Sequence, residues 1–184
     1  MNQEEILDLI RKDKWMMSVL SIAEKLNLPD WVIGAGFVRN KVWDHLHGYT
    51  KKEWGSSDVD LVYFDEDDKG EEFDERLSEK LKSETEINWE VVNEHHAHVW
   101  NKIPPYTSTE DAISKFPETV TAIGVRVRNG GIELVTPYGI GDNVNMIIRP
   151  TPIFEDKMDK IYERVAKKGW IEKWPKLKWA EGIE

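Results

Sequence analysis

Three residues, Gly34-Ala35-Gly36, stand between a short apolar run, Trp31-Val32-Ile33, and a stretch where Val38, Val42 and Leu46 recur at helical spacing. That order reads as strand, glycine turn, helix, and a strand that hands over directly to a helix needs a layered α/β or α+β fold to cover both. The next apolar run, Val59-Asp60-Leu61-Val62-Tyr63-Phe64, has the composition of a strand and ends in an acidic turn at 65–68. Phe73, Leu77 and Leu81 mark another helix, and residues 87–92 a further strand. Ser108 or Thr109 caps a short helix over 110–116 that Pro117 stops. Strands over 119–128 and 132–136 flank Asn129-Gly130-Gly131, a hairpin signal. Phe154, Met158, Ile161 and Val165 give a last helix before a Trp-rich tail.

Upstream, Trp15, Val19, Ile22, Ala23 and Leu26 share a helical face that Leu28-Pro29-Asp30 ends, and the polar segment 47–57 reads as a loop. The expected architecture is a mixed sheet flanked by helices in one domain. A helical extension covers 1–27, the sheet core 31–136, and a C-terminal helix and tail 150–184.

A formal net charge of −10 argues against long nucleic acid as a partner, because binding it rests on Lys and Arg neutralising phosphates. A single nucleotide is a different case, since metal ions held by acidic residues can carry it. No apolar run approaches the roughly 18 residues of a membrane span. The opening MNQEEILDLIRKDKW has acids where a secretory leader carries basic residues, so a cytoplasmic protein is expected. Cysteine is absent, which excludes disulfides and thiolate metal sites.

The chemistry centres on Asp58-Val59-Asp60. Alternate strand residues share a face, so two carboxylates project together with Cα atoms roughly 6.5–7 Å apart. That spacing serves a pair of hard cations about 3.5–4 Å apart, such as magnesium or manganese, which keep waters and phosphates as further ligands. Taken alone, an acid pair of this kind is more often a solvated strand end. Three further features bear on it. The glycine turn exposes backbone N–H groups at a helix start, where phosphates bind, although such turns also serve tight packing. Arg39 and Asn40 occupy the first turn of that helix, a poor place for a cation unless an anion or an acidic neighbour is close. Glu90 lies inside an apolar strand pattern, where a carboxylate needs a metal, a partner or water.

Together these residues resemble the DNA polymerase beta-type nucleotidyltransferase superfamily, whose signature is a glycine turn, two acids flanking a hydrophobic residue, and a third acid on a neighbouring strand. More narrowly, LPDWVIGAGFVRNKVWDHLHG, SDVDLVYFD, NWEVVNEHHAHVW, PETVTAIGVRV, TPYGIGD and RVAKKGWIEKWPKL are similar to a bacterial nucleotidyltransferase-like family, from about residue 28 to residue 177. The segment between Gly36 and Asp58 is longer than the superfamily's, and no Ser follows the first glycine.

The resemblance implies a polymerase beta-like fold. It also implies that Asp58, Asp60 and Glu90 hold magnesium or manganese, and that Gly34, Gly36, Arg39 and Asn40 hold the phosphates of an NTP, ATP or GTP. Glu90 would assist deprotonation of a hydroxyl on a small-molecule or protein acceptor. Glu133 is the rival third acid, favoured less because Glu90 follows the intervening helix. The alternative is a catalytically inactive nucleotide-binding module, regulatory or antitoxin-like, on the same fold. His95, His96 and His98 beside Glu94 do not have zinc-protease spacing and read as a polar cluster, with His98 matching a family histidine that would line the acceptor pocket. Trp43 is a candidate for base stacking. Trp170, Trp174 and Trp179 read as packing.

Overall fold

The computed structural model describes residues 1–50, 58–67, 69–101 and 103–183. The loop expected over 47–57 therefore lies mostly outside the described residues, as does Asp68 of the acidic turn.

Five short strands form one sheet: β1 (Val32–Gly34), β2 (Val59–Tyr63), β3 (Trp89–Asn93), β4 (Gly124–Arg128) and β5 (Gly131–Val135). Their order is β3-β2-β1-β4-β5, with β2 and β3 parallel and the other pairs antiparallel. This is the mixed sheet flanked by helices that the sequence leads one to expect. A parallel pair needs a crossover, and α4 (Glu71–Thr85) supplies it. Asn129 and Gly130 both have positive φ, 53° and 76°, the requirement of a two-residue type I′ turn between β4 and β5.

The pleat sorts β2 and β3 into two chemistries. Val59, Leu61, Tyr63, Trp89, Val91 and Asn93 are buried, and α4 covers this face. The α4 carboxylate of Asp74 accepts from Tyr63 Oη at 2.7 Å and from the Asn93 backbone N–H at 2.6 Å. The alternate residues Asp58, Asp60, Val62, Glu90 and Val92 all line a cavity.

At the N-terminus, two helices replace the one expected: α1 (Gln3–Arg11) and α2 (Lys14–Lys25). Asp13 divides them. Its carboxylate accepts from the Trp15 and Met16 N–H groups as the N-cap of α2 and also meets Lys41 Nζ at 2.7 Å. Lys41 belongs to α3 (Gly36–His47), so the cap ties the N-terminal helices to the helix after the glycine turn.

Three other departures from the sequence reading have local causes. Residues 119–123 are not strand. The Thr121 and Ala122 N–H groups turn back to the Glu118 carbonyl at 2.9 and 3.0 Å, and the buried Glu118 carboxylate accepts from Thr121 Oγ1 at 2.6 Å. A helix, α5 (Glu94–Asn101), follows β3 without a loop because Asn93 Oδ1 accepts from the His95 N–H. Beyond α6 (Thr109–Ile113), capped by Ser108, lie the short α7 (Gly141–Asn145) and a parallel pair, β6 (Ile147–Ile148) with β7 (Lys178–Trp179).

The C-terminal helices α8 (Met158–Lys167) and α9 (Trp170–Lys173) dock on α3 through three indoles. Trp170 and Trp174 meet the fully buried Trp43 edge-on, with ring centroids 5.3 and 5.1 Å apart. Trp174 Nε1 donates to Asp44 at 2.8 Å, which settles the one polar atom of its ring. No described helix is long and apolar enough to cross a membrane.

Gly124 is where β1 and β4 come closest. A Cβ there would stand 2.9 Å from the Ile33 carbonyl oxygen and overlap the Val32 side chain. Gly124→Ala should therefore destabilise the protein by roughly 2–4 kcal/mol, the scale of a forced backbone shift in a packed core. Chemical denaturation of the two proteins checks this, and a loss below about 0.5 kcal/mol, the scale of a neutral surface change, would show that the strands can part cheaply.

Candidate active site

The cavity, about 530 Å³, lies between the sheet, the start of α3 and the C-terminal helices. Its floor is set by strand register. Asp60 on β2 pairs with Glu90 on β3, so their Cα atoms lie on neighbouring strands, roughly 4.8 Å apart in the hydrogen-bonding direction. Asp58 stands just before β2, two residues ahead of Asp60 and exposed, with its carboxylate accepting from Asn88 Nδ2. Asp60 is half-buried. Burial pushes its carboxyl up to about 6, and the Glu90 charge adds to the rise while Arg39 and Lys168 oppose it. Three oxygen-bearing acids on one face, two of them side by side on paired strands, suit a hard divalent cation. Among the described residues, however, no three acids or histidines converge closely enough to form a preassembled metal site. Waters and substrate phosphates would have to complete the shell.

The glycine turn forms the adjoining wall. Ala35, at the N-cap of α3, has φ 53° and ψ −120°, a conformation glycine adopts more cheaply, and its N–H is held by the Ile123 carbonyl at 2.9 Å. The positive end of the α3 dipole thus opens on the cavity beside Ala35 and Gly36. Gly36 also gives room to its neighbours, since a Cβ would come within 3.3 Å of Asn40 Nδ2 and 3.5 Å of Arg39 Nη2. Gly34, by contrast, is not among the lining residues. It lies within β1 and packs towards the Ile123 carbonyl and Phe116.

Arg39 is 4% exposed yet lines the cavity. Its guanidinium lies over the Trp170 ring at 4.2 Å and the Trp43 ring at 5.2 Å. Nη1 donates to Thr121 Oγ1 at 2.8 Å, and Nε and Nη2 donate to Asn40 Oδ1 at 3.2 and 3.0 Å. The Thr121 hydroxyl in turn donates a hydrogen bond to Glu118 Oε2, and the other oxygen of Glu118 lies 3.0 Å from Arg164 Nε. That last contact is an ion pair without hydrogen-bond alignment. Neither an acid nor solvent neutralises Arg39 directly, and burial lowers its pKa to about 10, so it stays charged near neutrality.

The C-terminal helices complete the cation wall with Arg164, Lys167 and Lys168. Burial and the charges of Arg164 and Arg39 lower the Lys168 pKa, while Asp60 and Asp58 raise it. The sequence reading missed these residues. The available signal was the basic last turn of an amphipathic helix together with the RVAKKGW segment, which nothing in the linear chain connects to Asp60.

Other expectations need revision. Trp43 is no stacking platform, because it is fully buried between Trp170, Trp174 and Arg39. Trp170 and Trp174, read as packing, do pack and also line the cavity. Glu133 lies outside the lining. It pairs on the hairpin with Arg126 at 2.6 Å and Arg128 at 3.3 Å, which hold its carboxyl below the usual range. His98 is not a lining residue either, and its Nδ1 meets the His95 carbonyl at 2.9 Å.

A protein family described as Nucleotidyltransferase matches residues 21–179. A solved structure described as a CCA-adding enzyme head domain superimposes with a TM-score of 0.86 at 37% identity, over 97% of this chain and 96% of that one. The Thermotoga maritima CCA-adding enzyme complexed with tRNA gives 0.57 at 15% identity, over 99% of this chain and 43% of that one. A CCA-adding enzyme complexed with CTP gives 0.58 at 14%, over 98% and 44%. This chain spans less than half the length of the last two, and at such identities the likeness is one of fold. No curated protein matches. The family match over most of the chain and the end-to-end agreement with a head domain lead to one conclusion: the chain belongs to the nucleotidyltransferase family and has its polymerase beta-type fold.

Proposed function

We propose that the protein moves a nucleoside monophosphate from an NTP, ATP or GTP, to a hydroxyl of a small-molecule or protein acceptor. The observation that carries this reading is one cavity with Asp58, Asp60 and Glu90 on its floor and Arg39, Arg164 and Lys168 beside them. Acids that need a cation and cations that need an anion, side by side, suit a metal–polyphosphate complex. Magnesium or manganese held by the three acids would neutralise charge at the phosphorus during in-line displacement. The chain's own groups do the rest. The α3 N-terminus with Gly36, Arg39 and Asn40 receives phosphate oxygens, and Lys168 lies at the cavity against the far phosphates. Glu90, exposed to the cavity, accepts the proton of the acceptor hydroxyl. Trp170 shields Arg39 from water, which strengthens its pull on an anion.

Labelled NTPs offered with a metabolite extract, with and without EDTA, test the activity. Metal-dependent pyrophosphate release supports it. Nucleotide binding with no transfer to any acceptor favours the inactive binding module.

Asp58→Asn with Asp60→Asn should abolish magnesium-dependent NTP binding without lowering the melting temperature of the free protein. The sign follows from Asp60. Folding raises its pKa to about 6, so the charged carboxylate costs stability above that pH. The cost fades as the pH falls towards the ordinary carboxylate range. Magnesium–nucleotide affinity should run the other way and weaken below about pH 6, because binding needs the ionised form. Calorimetry showing equal affinity in wild type and double variant would remove both acids from the site.

Lys168→Ala should weaken triphosphate binding by roughly tenfold, about 1.4 kcal/mol, and leave monophosphate binding nearly unchanged. Equal losses for both ligands would mean that Lys168 does not meet the terminal phosphates. Arg39→Ala is a poorer probe, since it also uncovers Trp170.

Glu90→Gln should lower turnover by a factor on the order of 100 while nucleotide affinity falls only modestly, the pattern of a lost general base. Glu133→Gln, outside the cavity, should leave turnover within about severalfold of wild type, the scale of a surface change. Single-turnover kinetics on both variants decides, and reversed effects would exchange their roles.

A further inference from the structure

The cavity-facing row of β3 does not stop at Glu90. It continues through Val92 to Glu94, the first residue of α5 and roughly 13 Å along an extended chain from Glu90. Glu94 is 5% exposed and lines the cavity. Its carboxylate makes no hydrogen bond or ion pair to another described residue. Around it the wall is apolar or aromatic: Val62, Val92, Ala97, Tyr106 and Phe116. Among the described residues, none of these side chains offers a counter-charge. Burial pushes the carboxyl up to about 8, and the nearby Asp74 charge adds to the rise. A buried acid left without a partner costs stability, so an apolar residue would serve the fold better at this position.

The direction of the reaction says what meets Glu94. In-line displacement puts the leaving pyrophosphate and the attacking hydroxyl on opposite sides of phosphorus. The cations Arg39, Arg164 and Lys168, contributed by α3 and the C-terminal helices, mark the pyrophosphate side. The acceptor then enters from the β3 side, past Glu90, and the cavity wall there is the apolar pocket that contains Glu94. We propose that Glu94 receives an ammonium group of the acceptor. The acceptor is thus a small hydroxylated amine on an apolar or aromatic frame rather than a polyanion. A cation placed against Glu94 supplies the counter-charge that the pocket lacks, and the apolar wall excludes water from the pair. This assignment rests on the transferase reading for its direction, but the ammonium site itself can be measured without any turnover.

Tyramine, an aromatic primary amine with a hydroxyl, and 4-ethylphenol, its uncharged counterpart, are suitable probes. Calorimetry on the wild-type protein, with and without magnesium–ATP, should show tyramine binding at least about tenfold more tightly, about 1.4 kcal/mol. In Glu94→Gln, which keeps the size and loses the charge, the two probes should bind alike. Affinities for ATP, CTP, GTP and UTP should stay within about twofold of wild type, since the nucleotide lies elsewhere. Equal binding of the two probes to wild type overturns the proposal and needs no variant. So does a preference for tyramine that survives Glu94→Gln, or a changed ranking of the four nucleotides, which would make Glu94 a reader of the base. If magnesium–ATP fails to bind while tyramine binds through Glu94, the ammonium site stands and the transferase reading falls.

Discussion

The buried guanidinium of Arg39 ties the molecule together. It leaves the first turn of α3, lies against Trp170 of α9, and bonds through Thr121 to Glu118, which in turn holds Arg164 of α8. The sheet-side turn, the glycine-turn helix and both C-terminal helices thus meet at one charge. Two arginines share a single buried glutamate in this network, and of the two it is Arg39 whose charge sits where water is scarce. Such a charge is expensive for folding alone. It becomes favourable when an anion arrives, which is why the proposed phosphate side of the cavity is centred on Arg39.

The sheet supplies the opposite charge with equal economy. A period of two along β2 and β3 sends Val59, Leu61, Trp89 and Val91 into the core and Asp58, Asp60 and Glu90 into the cavity. Parallel register sets Asp60 beside Glu90. A one-residue slip would bury the acids and expose the core, so hydrophobic packing of one face enforces the alignment of carboxylates on the other. Stability of the fold and geometry of the site are therefore one constraint.

What could be read in the sequence was what local geometry dictates. Asn129-Gly130 announced its hairpin because two positive φ angles are needed there, and Asp58-Val59-Asp60 announced a shared face because the pleat demands it. Residues 119–123 misled, since Val120 and Thr121 have strand propensity while the buried Glu118 draws the backbone into a turn, a tertiary override. Gly34, expected in the phosphate turn from its place in the glycine motif, ends the strand β1. Arg164, Lys168 and Trp170 were invisible as site residues because they reach Arg39 and Asp60 only through the docking of α8 and α9. The histidines around Glu94 raise a metal question in the sequence, whereas the burial of Glu94 itself, with no hydrogen bond or ion pair to another described residue, becomes visible only in the fold.

The two sides of the cavity also reconcile an acidic protein with a polyanionic ligand. A net charge of −10 does not by itself keep a polyanion out, because screening at physiological salt confines each exposed charge to about 8 Å. Inside a cavity walled by Trp170, Trp174 and Phe116, the buried Arg39 outweighs that distant background, because the effective dielectric is lower there. On the proposed reading a triphosphate is attracted at close range by Arg39 and by the less buried Arg164 and Lys168 beside it.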